Sequence, residues 1–198
     1  GGLQFVQLIP YLKDQCASYL VSHNGFRAGE ILCEWEDLID SHAKNLLSHS
    51  ERGLVIASHS AGGWAAMDVV HRIQELEPER RVALILLDSP APPPSIGNFI
   101  YPGLFTVFAN RMNTFLDEGL KKEQSVENPE GSRSVDLAMA DNPHGWTALG
   151  WYSEEASRAI PKELDVPVLL VKAQEFIPEI NVETIPELMA DDFGWRRF

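Results

Sequence analysis

Ser60 is the side chain whose surroundings promise chemistry. The run Leu54-Val55-Ile56-Ala57-Ser58-His59-Ser60-Ala61-Gly62-Gly63 carries an apolar segment into small residues, sets a serine there, and continues into helix-forming sequence. A serine hydroxyl becomes a nucleophile when a base takes its proton and nearby donors hold the oxyanion that forms. Strand, serine, helix is the order of a nucleophile elbow, a sharp turn that lifts Oγ clear of the sheet. The turn calls for small residues two before and two after the serine, and Ser58 and Gly62 fill those places. The N–H of Ala61 then faces the same space and is the expected oxyanion donor. The positive end of the helix beginning there adds to that field.

Asp88 is the second candidate. It closes the apolar run Val82–Leu87, where a carboxylate lies on the ligand side of a parallel sheet, one crossover from Ser60. From there it can orient a histidine shared with the serine. The following Ser89-Pro90 equally suits an ordinary turn aspartate. The six histidines are His23, His42, His49, His59, His71 and His144. His42 and His71 fall inside helices, His49 in a turn, and His59 points away from its neighbour Ser60. His144 sits in Asn142-Pro143-His144-Gly145-Trp146, a segment able to approach the site. In this architecture the order is Ser, Asp, then His after the last strands, and no histidine follows Val171. The expectation is therefore a base past Phe198 in the intact protein, which leaves Ser60 unactivated within this stretch.

The elements that must position these residues alternate. Leu3–Tyr19 reads as a helix, with Phe5, Leu8, Ile9, Leu12 and Cys16 on one face. Ser18–Ser22 is a short strand candidate, and Asn24–Glu30 a loop. Trp35–Leu47 is a second helix. Leu54–Ala57 reads as a strand buried on both faces, Ala61–Leu76 as the helix after the elbow, and Val82–Leu87 and Val166–Val171 as further strands. The alternation predicts an α/β fold with a mostly parallel sheet flanked by helices. Residues 95–163 lack a clear strand and read as a helical lid insertion over the C-terminal edge of the sheet. The whole is expected to be one domain over 1–198.

Bulk properties narrow the classes of function. The chain has 198 residues, 44% hydrophobic and 23% charged, with a formal net charge of −13. That balance argues against nucleic acid and anionic membrane partners. No apolar run reaches the roughly 20 residues of a membrane span. The start has no basic region of a signal peptide. Cys16 and Cys33 lack the spacing of a metal site and read as reduced thiols in a cytoplasmic protein.

Six segments in order resemble the thioesterase domains of polyketide synthases and non-ribosomal peptide synthetases. Asn24-Gly25-Phe26-Arg27-Ala28-Gly29-Glu30 resembles a PG(Y/F)xxGE loop, and Trp35–Leu47 the helix before the elbow strand. Ser58-His59-Ser60-Ala61-Gly62-Gly63 resembles GHSAGG, with serine in place of the first glycine. Leu86-Leu87-Asp88-Ser89-Pro90 resembles the segment supplying the triad aspartate. Thr147–Tyr152 resembles a lid segment, and Val166–Glu175 the strand PxLLVxAxE. Asp191–Phe198 resembles the aromatic loop that precedes the triad histidine.

The resemblance implies an α/β-hydrolase fold and a covalent mechanism. A carrier protein delivers an acyl chain, polyketide or peptide-like, as a phosphopantetheine thioester. Ser60 takes the acyl group, Asp88 serves the histidine, and Ala61 holds the oxyanion. Water or an internal nucleophile then releases an acid or a macrocycle. No cofactor or metal is expected beyond the phosphopantetheine of the carrier, and a homodimer is compatible. Phe105, Phe108, Trp146, Trp151 and Tyr152 are candidate lid residues lining an apolar chamber, or plain lid core. A stand-alone serine esterase and a non-catalytic hydrolase-like binding domain are the alternatives.

Overall fold

Apolar strands without a turn between them need helical crossovers to lie parallel, and the helix over Gly62–Leu76 supplies one. The computed structural model describes residues 5, 8–25, 29–50, 52–91, 148, 151–152, 155, 162–173 and 190–195. Its elements are α1 (Ile9–Leu12), α2 (Trp35–His49), β1 (Gly53–His59), α3 (Gly62–Leu76), β2 (Arg81–Leu87) and β3 (Val168–Val171). The strands form a parallel sheet in the order β1-β2-β3. His59 of β1 pairs with Leu87 of β2, which pairs in turn with Val171 of β3, so all three strands end level.

Helices α2 and α3 pack on one another, and α3 packs on β1 and β2. The shared core joins Leu38, Ile39 and Ala43 of α2 to Val69, Val70 and Ile73 of α3 and to Val82, Leu84 and Leu86 of β2. Trp35 Nε1 ties the helices by donating to Asp68 Oδ2 at 2.7 Å. Burial raises the Asp68 carboxyl above its ordinary value, and the Trp35 bond opposes that shift. At the rim, Arg72 of α3 pairs with Asp40 of α2 at 2.7 Å.

Several sequence expectations change. Among the described residues, the helix expected over 3–19 is the single turn of α1, with Pro10 in its first turn and no buried residue. Leu8 is 47% exposed, and Leu12 and Cys16 are exposed too, so among the described residues the apolar stripe has no core to hold it, and short helices in water need such packing. Ser18–Ser22 forms no strand, because it pairs with no described neighbour. His49 is the last residue of α2 rather than a turn residue. β1 is not buried on both faces. Leu54 and Ile56 pack on the core, whereas Val55 is 68% exposed. β1 is an outer strand among the described residues, with α3 packed on the face that Leu54 and Ile56 share. Of the lid interval 95–163, all but residues 148, 151–152, 155 and 162–163 lies outside the described residues.

The loop after residue 23 gives the Gly25–Glu30 motif a physical reading. Gly25 sits at φ +86°, and its N–H donates to Glu30 Oε2 at 3.1 Å. A Cβ there would come within 2.4 Å of Leu32 Cδ2.

His23 precedes this loop and meets His42 of α2, Nδ1 to Nε2, at 2.9 Å. Burial, aided by the neighbouring His42, lowers the His23 pKa from 6.5 to about 4. Burial lowers His42 as well. A histidine depressed on folding leaves the unfolded chain binding more protons below its ordinary value. The contribution of His23 to stability is thus level above pH 6.5, falls as pH drops toward about 4, and levels off below. Urea denaturation midpoints measured across that window should show this slope, and His23→Asn should reduce it.

Candidate active site

The level strand ends at the C-terminal edge of the sheet build the site. At the end of β1, Ser60 turns to φ +55°, a left-handed conformation unfavourable for any residue with a Cβ. Its N–H still donates to Leu87 O of β2 at 3.0 Å, so the turn begins while the sheet pairing continues. α3 starts two residues later. At the end of β2, Asp88 makes the same departure, at φ +47°, with its N–H on Val171 O of β3 at 2.6 Å. Two adjacent strands therefore each end in a strained polar residue. Strain of this kind persists only where the surroundings over-determine it, and it concentrates at functional sites.

Asp88 Oδ1 accepts the Ala173 N–H at 3.3 Å, so the end of β3 orients the carboxylate. Ala61 is the N-cap of α3 and supplies no side-chain cap. Its N–H has no hydrogen-bond partner among the described residues, whereas Gly63 N–H donates to Ser60 O and Trp64 N–H to Ala61 O. An open N–H at a helix N-terminus, next to a serine, suits an oxyanion or another anionic group.

The small residues around Ser60 divide their work differently from the expected pattern. A Cβ on Gly62 would meet nothing within 4 Å among the described residues. A Cβ on Gly63 would lie 1.9 Å from Ser89 Oγ and 3.2 Å from Leu86 Cδ2. The second glycine of the pair is the one the packing requires. Ser58 is buried, and its Oγ has no hydrogen-bond partner among the described residues.

Ser89, Gly63 and the segment 190–195 are contributions that the sequence reading missed. Ser89 is fully buried, and its hydroxyl donates to Ser60 O. The segment 190–195 lies along the exit from β2. Trp195 Nε1 donates to Ser89 O at 2.7 Å, and Ala91 N–H to Phe193 O at 2.9 Å. Lys172 sits over the Phe193 ring at 4.6 Å and donates to Ala190 O. Trp64 of α3 closes the same exit by donating to Pro90 O at 2.8 Å. The only advance signal was the Gly62-Gly63 doublet and the aromatic content of 191–198.

The lid candidates are placed in part. Tyr152 is buried in the core, edge-on to His23, with its hydroxyl 3.5 Å from Cys33 Sγ. Burial pushes its pKa up to about 12. Trp151 is 36% exposed and donates to Cys33 O at 3.2 Å. Phe105, Phe108, Trp146 and His144 lie outside the described residues. Among the described residues, no histidine hydrogen-bonds to the Ser60 hydroxyl, and no group of three or more His, Cys, Asp or Glu side chains could hold a metal ion. No helix among them is long and apolar enough to cross a membrane.

A parallel sheet with helices packed on it, and a serine strained where a strand passes into a helix, are features of α/β-hydrolase-like proteins. A family model for thioesterase domains matches residues 1–132, two thirds of the chain, and the chain belongs to that family. No match was found among curated proteins.

The strain at Ser60 is measurable. Glycine tolerates φ +55° and alanine does not, so Ser60→Gly should be more stable than Ser60→Ala by about 1 kcal/mol in urea denaturation. Gly63→Ala should cost about 1–3 kcal/mol by overpacking against Ser89. Gly62→Ala should stay within about 0.5 kcal/mol of the wild type.

Proposed function

We propose that Ser60 is the acyl-accepting nucleophile of this thioesterase domain and that Asp88 orients its general base. The supporting observation is the pair of left-handed strand ends, which sets a hydroxyl and a carboxylate on neighbouring strands at one edge of the sheet. In the reaction, Ser60 Oγ attacks the thioester carbonyl carbon while the base removes its proton. The tetrahedral oxyanion takes the Ala61 N–H. Collapse breaks the carbon–sulfur bond, and the departing thiolate receives the proton from the base. The acyl-serine ester is then cleaved by water, which regenerates the hydroxyl and yields an acid, or by an internal hydroxyl or amine, which yields a ring. Asp88 stabilises the charged form of the base and does not itself take the proton.

The substrate we assign is an acyl chain, polyketide or peptide-like, borne on the phosphopantetheine of a carrier protein. The family match supports thioester chemistry. The order of motifs from Asn24–Glu30 to Val166–Glu175 supports the carrier-bound substrate. Residues 95–163 would cover the site, with Phe105, Phe108, Trp146 and the partly exposed Trp151 as candidates to line the acyl chamber and Tyr152 in the core.

The intact protein, treated with a fluorophosphonate probe, should be labelled at Ser60, and Ser60→Ala should abolish the label. Asp88→Asn should slow labelling by about 10⁴-fold if it serves the base as proposed. Mass spectrometry should then show acyl transfer to Ser60 from an acylated carrier protein and not from a simple ester. Labelling unchanged in Ser60→Ala would refute the nucleophile assignment, and equal loading from both donors would refute the carrier assignment.

A further inference from the structure

Ser89 is fully buried, is neither the proposed nucleophile nor its acid partner, and spends its hydroxyl on one atom, the carbonyl oxygen of Ser60. That atom belongs to the peptide unit joining Ser60 to Ala61. The unit is planar and trans, so the Ser60 C=O and the Ala61 N–H point in opposite directions from one rigid plate. Whatever fixes the carbonyl fixes the N–H. We propose that Ser89 is a positioning residue that aims the Ala61 N–H at the oxyanion, an inference that rests on Ser60 being the nucleophile.

Three features make Ser89 suited to this task. Its backbone follows Asp88, so it is anchored at the end of β2 beside the elbow. Its own carbonyl is held by Trp195 Nε1. Its side chain fills the space that a Cβ on Gly63 would occupy, so the hydroxyl has little room to turn elsewhere. The Gly63 N–H also reaches the Ser60 carbonyl, at 3.0 Å. Removing the Ser89 hydroxyl therefore leaves that acceptor satisfied and loosens the angle of the plate rather than the fold. A donor that strengthens only as charge develops acts on the chemical step and not on ground-state binding.

The test uses the intact protein, a hexanoyl thioester of N-acetylcysteamine as substrate, and a fluorophosphonate label on Ser60. Ser89→Ala should lower kcat by about tenfold or more, with KM within about twofold. Ser89→Cys keeps a weak donor in a slightly bulkier side chain, so its kcat should fall between the two; it also stands in if the alanine variant does not fold. A wild-type kcat in Ser89→Ala overturns the proposal, as does a fall in kcat matched by a rise in KM and a lowered Tm, which would mark general loosening. If wild-type Ser60 is neither labelled nor active, the nucleophile assignment fails and this inference with it. If Ser60 is labelled and Ser89→Ala matches wild type, only the role of Ser89 fails.

Discussion

A serine at φ +55° costs about 1–3 kcal/mol that nothing in its own side chain returns. The site depends on how that conformation is held. Three bonds converge on Ser60. Its N–H goes to Leu87 O, its carbonyl takes the Gly63 N–H, and the same carbonyl takes the Ser89 hydroxyl. Each donor or acceptor comes from a different element, so the strain is carried jointly by β2, α3 and the exit from β2. Beside it the Ala61 N–H is left without a hydrogen-bond partner among the described residues.

The same principle is repeated one strand over. Asp88 leaves β2 as Ser60 leaves β1, and its N–H reaches β3 as that of Ser60 reaches β2. Level strand ends in a parallel sheet make this possible, since each terminal residue finds the last carbonyl of the next strand at the same height. A one-residue slip in either pairing would send one of the two side chains to the other face. The core beneath guards against it: Val82, Leu84 and Leu86 alternate inward against α3, and their register decides where Leu87 and Asp88 stop.

The segment 190–195 contributes from far along the chain. Trp195 and Phe193 bond the backbone of Ser89 and Ala91, within three residues after Asp88. Phe193 is itself buried, at φ +51°, beneath the Lys172 ammonium. The polypeptide leaving β2 is thus clamped by Trp64 from α3 on one side and by this late segment on the other. Asp88 and Ser89 are held in place by residues that do no chemistry of their own.

Local sequence determined much of this. The alternation of apolar strand and amphipathic helix between Trp35 and Leu87 is a local property, because period and propensity need no distant partner to be read. Structure moved those elements by only a few residues at their ends. That Ser60 and Asp88 stand at strand ends was legible for the same reason: each follows an apolar run that must stop. The N-terminal helix was not legible, since its stripe predicts burial only if a surface receives it, and α1 has none among the described residues. Only the tertiary structure decided which glycine of the Gly62-Gly63 pair is required, because the atom that excludes a side chain there belongs to Ser89. It alone also joined Trp195 to Ser89 and His23 to His42. Contacts between residues so distant in sequence leave no local pattern, so folding alone brings them together.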